Sequence, residues 1–237
     1  MKASRRKAGG LNQEDNPARE PVDREKLIQV ALDLLDEDGL DKLSMRRLAE
    51  RLGIKAASLY WHLHDKADLL ALLSDELCAG MQAPDPSLPW REQLEAMMRE
   101  VRRVLLSHRD AALVMIITPP NGPNRIRLIE LVCSILLKAG FDPEETINAG
   151  FLLNDYCTNF AAEENRIANA ATELNMSSEQ LAKDTANLFQ SLPPDKYPAI
   201  LAVAPHVSAT SNEDRFSFGL NVLLDGLEDH LKAHKKA

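Results

Sequence analysis

Between Ser44 and Leu63 the chain carries a run of residues whose types and spacing suit the reading of DNA. Leu48, Ala49, Leu52, Ile54, Leu59 and Leu63 form an inward-facing set, and Gly53 stands between the two short helices they imply. That is the plan of a helix-turn-helix, in which an apolar interior fixes how two helices cross. Lys55, Ala56, Ala57, Ser58, Tyr60 and His62 remain on the outer face. Small residues there allow close approach to bases, while hydroxyls and an imidazole bond phosphates or base edges. Ser44 is placed as an N-cap, Arg46 to reach a guanine and Lys66 to meet a phosphate. Tyr60 and Trp61 are adjacent, so they point to different sides; the expectation is Trp61 against the domain and Tyr60 toward phosphates. An ordinary helical hairpin with solvated polar residues is the competing reading. It leaves Ser58, Tyr60, His62 and Lys66 on one head unexplained.

Other chemistries find less support. His62-Leu63-His64-Asp65 resembles a metal cluster on paper, but i and i+2 on a helix point apart and no third ligand is near. The sequence shows no glycine-rich phosphate loop, nucleophile elbow or pair of catalytic carboxylates. No metal, no cofactor and no enzymatic activity are expected. Cys78, Cys133 and Cys157 each lie in an apolar helical stretch and read as buried thiols of a reducing cytoplasm. No apolar run is long enough to span a bilayer, and residues 1–16 lack the apolar segment of a secretory signal.

The elements that position this head are helices throughout. Residues 1–22 read as a flexible basic arm, with Arg5, Arg6 and Lys7, that either enters the minor groove beside the site or has no role. Asp23 is a plausible cap for a helix whose Leu27, Val30, Ala31, Leu34 and Leu35 make one stripe, stopped at Gly39. A helix from Met45 to Leu52 and another from about Ala56 to Leu63 follow. Beyond Lys66 the pattern gives longer helices at 67–81, 90–108, 125–139, 142–164 and 215–232 and a short, very apolar one at 111–117; residues 165–212, polar and alanine-rich with Pro193-Pro194 and Pro198, are hard to read. No β alternation appears, so the fold class is all-α: a three-helix domain at 23–68, then a larger helical domain at 69–237. The net charge of −8 does not exclude DNA, because residues 1–66 hold 13 basic and 12 acidic side chains. The acidic excess lies beyond them.

These residues also carry a resemblance. Ser44 to Ala49, Leu52-Gly53, Ser58 to His62 and Lys66 with Leu69-Leu70 resemble the N-terminal signature of the tetracycline-repressor (TetR) family. Leu105 to Asp110, the Ala139-Gly140-Phe141 turn, Phe218-Gly219-Leu220 and Gly226-Leu227 are similar to the C-terminal domain of that family's tetracycline-binding members. The resemblance implies a cytoplasmic, homodimeric transcriptional repressor on double-stranded DNA with a palindromic operator, released by a small-molecule effector. An activator of the same fold, or a helical interaction module without DNA binding, are the alternatives. Subunits would pair through a four-helix bundle of helices 142–164 and 215–232, with Leu152, Tyr156, Phe218, Leu220, Leu224 and Leu227 at the contact. The last helix is apolar over too wide an arc for a solvent-facing end, which supports the pairing independently.

The resemblance places the effector among Met97, Val101, Met115, Thr118, Leu131, Asn154 and Glu163. It puts Met115 where a metal-binding histidine would stand, and Pro119 where an arginine would. A mostly apolar effector suits methionines and aliphatic side chains better than a magnesium-chelated drug does. Met97, Val101, Met115 and Leu131 also fit a filled core. Asn154, Asp155, Tyr156 and Asn159 either bond a ligand or bond one another across a dimer.

Overall fold

The computed structural model describes residues 23–60 and 63–234, which form eleven helices and, among the described residues, no strand. The first, α1 (Arg24–Asp38), is capped by Asp23, whose carboxylate accepts the Glu25 backbone N–H at 3.0 Å. It buries Leu27, Ala31, Leu34 and Leu35 as the stripe requires. α2 (Met45–Leu52) starts from Ser44, whose hydroxyl accepts the Arg47 N–H at 3.3 Å. A cap of this kind contributes about 1 kcal/mol. Gly53 ends α2 at φ 70°, the left-handed region that side chains with a Cβ avoid, and so turns the chain sharply into α3 (Ala56–Leu59).

α3 spans Ala56–Leu59 among the described residues, followed by Tyr60 in a turn; Trp61 and His62, through which the sequence continued the helix to Leu63, lie outside the described residues. Only Leu59 of α3 is buried, and a single anchor holds a single turn. α4 (Lys66–Ala79), capped by Asp65, then runs across residue 68, so the expected domain boundary falls inside a continuous helix. α4 packs against α1 at one end and against α5 (Trp90–Ser107), α6 (Ala111–Ile117) and α7 (Pro123–Ala139) at the other. One buried cluster accordingly runs from Leu27 and Leu48 through Leu69 and Leu77 to Leu105 and Phe216.

α8 (Pro143–Glu173) opens with a capping box, Asp142 accepting the Glu145 N–H at 2.8 Å and Glu145 accepting the Asp142 N–H at 3.0 Å. It extends well beyond Glu164. The unreadable stretch resolves into the end of α8, α9 (Ser178–Gln190) and α10 (Pro198–Val207), which pack on each other. α9 buries only Ala186 and α10 only Ala204, so neither presents a buried stripe of large apolar side chains within one chain. α11 (Asn212–His234) returns along α5 and α8.

Candidate DNA-reading head and internal cavity

The head presents Lys55, Ala56 and Ala57 to solvent, with Ser58 half-buried and Tyr60 half-exposed beside them. Leu59, fully buried, pins α3 to the core from behind. Lys55 has no acidic partner among the described residues. Trp61 and His62 lie outside the described residues. Ser44 spends its hydroxyl on the cap of α2. Arg46 projects from α2 and pairs with Glu50 at 2.8 Å, both side chains well exposed; an exposed pair of this kind is weak and free to exchange for a phosphate or base.

Lys66 Nζ donates to the Leu40 carbonyl at 2.9 Å and so ties the start of α4 to the α1–α2 loop. His64 and Asp68 pair with each other at 2.8 Å, and no group of three metal-ligating side chains occurs among the described residues. No helix there is long and apolar enough to cross a membrane.

Behind the head, α4 to α8 enclose a cavity of about 350 Å³. Met97, Val101, Met115, Thr118 and Asn154 line it. Leu131 lies outside its lining, as does Glu163, which the resemblance assigns to a ligand held by the partner subunit. Leu131 is half-buried against the core, and Glu163 lies on the outside of α8, bound to Arg166 at 2.6 Å. The sequence did not single out Arg125, Thr146 or Phe151, which also line the wall. Arg125 is one of two arginines in the first turns of α7, and nothing in the local pattern distinguishes it from a solvated charge. In the fold its Nη1 donates to Ser74 Oγ (2.9 Å), to the Thr118 carbonyl (2.9 Å) and to Thr118 Oγ1 (3.0 Å). Its Nη2 donates to the Met115 carbonyl at 3.0 Å. Burial lowers its pKa from the ordinary value, yet a guanidinium stays charged.

Asp75 of α4, buried, fixes the start of α7 by accepting from the Asn124 N–H (2.8 Å), Asn124 Nδ2 (2.9 Å) and the Arg125 N–H (3.0 Å). Its carboxylate lies so close to Gly122 that any side chain there would collide with it. Helix α4 is thus bonded to the cavity wall at Ser74 and Asp75 and to the head at Lys66.

The six residues expected at a subunit contact divide. Leu152 and Phe218 are exposed, Phe218 to 73 %, and Val222 joins them on the outer face of α11. Leu227 is half-buried. Leu220 and Leu224 are corrections: they turn inward and are essentially fully buried in the chain's own core. Tyr156 is also engaged internally, stacked on Phe216 at 5.6 Å with its hydroxyl donating to the Phe216 carbonyl at 2.8 Å. The period of α11 placed apolar residues on both faces, and sequence alone did not separate them. Asn159 donates to the Asp155 carbonyl of its own helix.

An all-helical chain with a helix-turn-helix at one end and a walled cavity behind it is a DNA-binding transcriptional regulator of the one-component type. The chain belongs to the TetR family. Residues 27–73 match the family described as bacterial regulatory proteins, tetR family, and residues 83–231 the tetracyclin repressor-like C-terminal domain. An HTH-type transcriptional regulator of Saccharopolyspora erythraea is 41 % identical over 134 residues, spanning 56 % of this chain and 57 % of that protein. The tetracycline repressor protein class E of Escherichia coli is 31 % identical over 222 residues, 88 % of this chain and 92 % of its own. Apo ActR from Streptomyces coelicolor superposes with a TM-score of 0.78 at 31 % identity, covering 92 % of this chain and all of ActR. ActR has also been solved in complex with actinorhodin and with (S)-DNPA.

Proposed function

We propose that the protein is a homodimeric repressor that holds a near-palindromic operator and releases it when a small, mostly apolar effector fills the cavity. Residues 23–68 act as the reading domain and residues 69–237 as the effector-binding and dimerisation domain, in the cytoplasm. The observation that carries this reading is the double attachment of α4, to the head through Lys66 and Leu40 and to the cavity wall through Ser74 and Asp75. A ligand that displaces the wall reorients the head. Such a ligand lowers operator affinity by as much as it prefers the reoriented form. A twofold pair sets the two heads about one DNA turn apart, so half-sites should be spaced accordingly. Repression is favoured over activation by the tetracycline repressors among the relatives, and the ActR complexes support a cavity that admits organic molecules. Magnesium-chelated tetracycline is not the expected effector, since Met115 faces the cavity where the resemblance requires a histidine. Micromolar binding of that chelate in calorimetry would overturn this exclusion.

Selection of random duplex DNA on the purified protein, followed by sequencing, tests the central claim. An enriched near-palindrome supports it. No enrichment by a folded dimer would favour the interaction-module alternative. Deletion of the gene separates the remaining pair: repression predicts raised transcription of the promoter so identified, activation a fall.

A further inference from the structure

Two polar groups stand out in a largely apolar cavity wall. The first is the Arg125 guanidinium. All four of its hydrogen bonds go to neutral acceptors on Ser74, Met115 and Thr118. No carboxylate lies within ion-pair distance of it among the described residues, because Asp75 spends its oxygens on Asn124 and the Arg125 backbone. The carbonyls at the end of α6 supply partial negative charge, which is less than a counter-ion. A half-buried cation with neutral partners alone is under-compensated.

The second is Thr146 of α8. It is 3 % exposed, lines the cavity, and its Oγ1 has no hydrogen-bond partner. Buried hydroxyls are nearly always satisfied, so an orphan in a cavity wall points to a ligand group as its partner. Gly150 and Asn154 follow at one-turn intervals on the same face, and a Cβ at Gly150 would meet nothing within 4 Å. The cavity thus combines the Arg125 guanidinium of α7 and the Thr146 hydroxyl of α8 with methionine, valine, leucine and phenylalanine side chains.

We propose that the effector is an amphiphilic organic acid. Its carboxylate, or an ionised phenol or enol, pairs with Arg125. A hydroxyl or carbonyl further along an apolar body bonds Thr146. This inference rests on the reading of the cavity as the effector site and adds the ligand's chemical class. It also gives the ligand a lever, since the anion competes for the guanidinium that otherwise holds Ser74 of α4.

Calorimetric titration of the full-length protein with naphthalene, 2-naphthamide, 2-naphthoate and 6-hydroxy-2-naphthoate tests it. The expected result is that 2-naphthoate binds at least about tenfold more tightly than the amide, a factor equivalent to about 1.4 kcal/mol. That preference disappears in Arg125→Gln and survives in Arg125→Lys, with helicity checked by circular dichroism. The added hydroxyl improves affinity in the parent protein and gives nothing in Thr146→Val, whose unfolding midpoint is unchanged because no bond is lost. Equal binding of acid, amide and naphthalene would overturn the anion while leaving the cavity as an apolar site. Failure of all four to bind would overturn the cavity reading itself.

Discussion

Asp110 Oδ2 accepts the backbone N–H of Leu40 at 2.9 Å, while its Oδ1 accepts Asn169 Nδ2 at 3.2 Å. One carboxylate therefore holds the α1–α2 loop of the head and the far half of α8. Asp110 is also the residue from which α6 starts, in a left-handed conformation at φ 57°. Next to it Asp36 of α1 accepts the Arg109 N–H and meets His108 Nδ1, both at 2.8 Å. From this clasp α6 leads directly to Met115 and Thr118 at the cavity. Movement of the wall thus has a second short route to the head, besides α4.

Removing the clasp should separate ligand binding from DNA release. Asp110→Ala leaves the Leu40 N–H without its acceptor and should destabilise the fold by about 1–3 kcal/mol. Asp110→Asn, which tolerates the left-handed backbone and keeps one acceptor, should cost less. Effector affinity should change little in the asparagine variant while the effector's power to dissociate operator DNA falls. Denaturant unfolding and fluorescence anisotropy with a labelled operator measure the two. Unimpaired release would remove this route from the mechanism.

Arg102 is the strongest charged anchor of the larger domain. Its Nε and Nη2 donate to both oxygens of Glu164 at 2.7 and 2.9 Å, and its guanidinium lies 4.6 Å from the Phe216 ring centre. Both side chains of the pair are about nine-tenths buried. Arg102→Met should destabilise by about 3–5 kcal/mol because it strands a buried carboxylate. The double variant with Glu164→Leu should recover much of that. Arg102 and Arg99 also hold Glu213 at a pKa of about 2 by hydrogen bonding, below its ordinary 4.5. A depressed carboxylate stabilises the fold above its unfolded pKa and stops doing so as pH falls through the folded value. The Glu213→Gln penalty should therefore be full above pH 5 and vanish toward pH 2, as followed by thermal melts.

The three cysteines should differ in reactivity. Burial pushes the Cys157 thiol up to about 12 and the Cys78 thiol up to about 11, so neither forms thiolate near neutrality. Cys133 is half-buried at the cavity wall. Native protein at pH 8 should react with an aromatic disulfide reagent at Cys133 alone, and all three should react after denaturation. Peptide mass mapping identifies the site, and 2-naphthoate should slow it.

What could be read from the sequence were the features set by local chemistry. Asp23, Ser44 and Asp142 cap helices as their types suggest, and Gly53 turns the motif. The cavity was legible only in part. Met97, Met115 and Thr118 were found through resemblance, but Arg125 and Thr146 matter through contacts made across three other helices. The bond from Lys66 to the Leu40 carbonyl was not legible for the same reason: that partner is supplied by tertiary folding. Residues 165–212 were hard to read because the stretch is polar, alanine-rich and interrupted by prolines, and α9 and α10 each bury a single alanine within one chain.

The reading head gives a graded test. Lys55→Ala should weaken DNA binding on any sequence and reduce the salt slope by about one unit, as loss of a single phosphate contact does. Tyr60→Ala should reduce operator affinity while leaving helicity and oligomeric state intact, because Tyr60 is half-exposed and outside the core. Anisotropy titrations across salt concentrations measure both. Unchanged affinity in both variants would place the contact surface elsewhere.

The outer face of α11 should be the place where subunits meet, and its two sides make that a sharp test. Phe218 and Val222 stand one turn apart on the exposed side, and Leu152 of α8 is also exposed, whereas Leu224 is fully buried. Exposed apolar side chains on adjacent helices are unfavourable in a monomer and are covered by association. Phe218→Glu should therefore yield a folded monomer with poor operator affinity, since one head alone loses the second half-site. Leu224→Ala should instead destabilise the protomer by about 2–5 kcal/mol, the range for emptying a leucine site in a packed core. Sedimentation velocity with denaturant titration distinguishes the outcomes. A Phe218→Glu variant that stays dimeric would move the interface to the α9–α10 pair, where Leu188 and Val203 are also exposed.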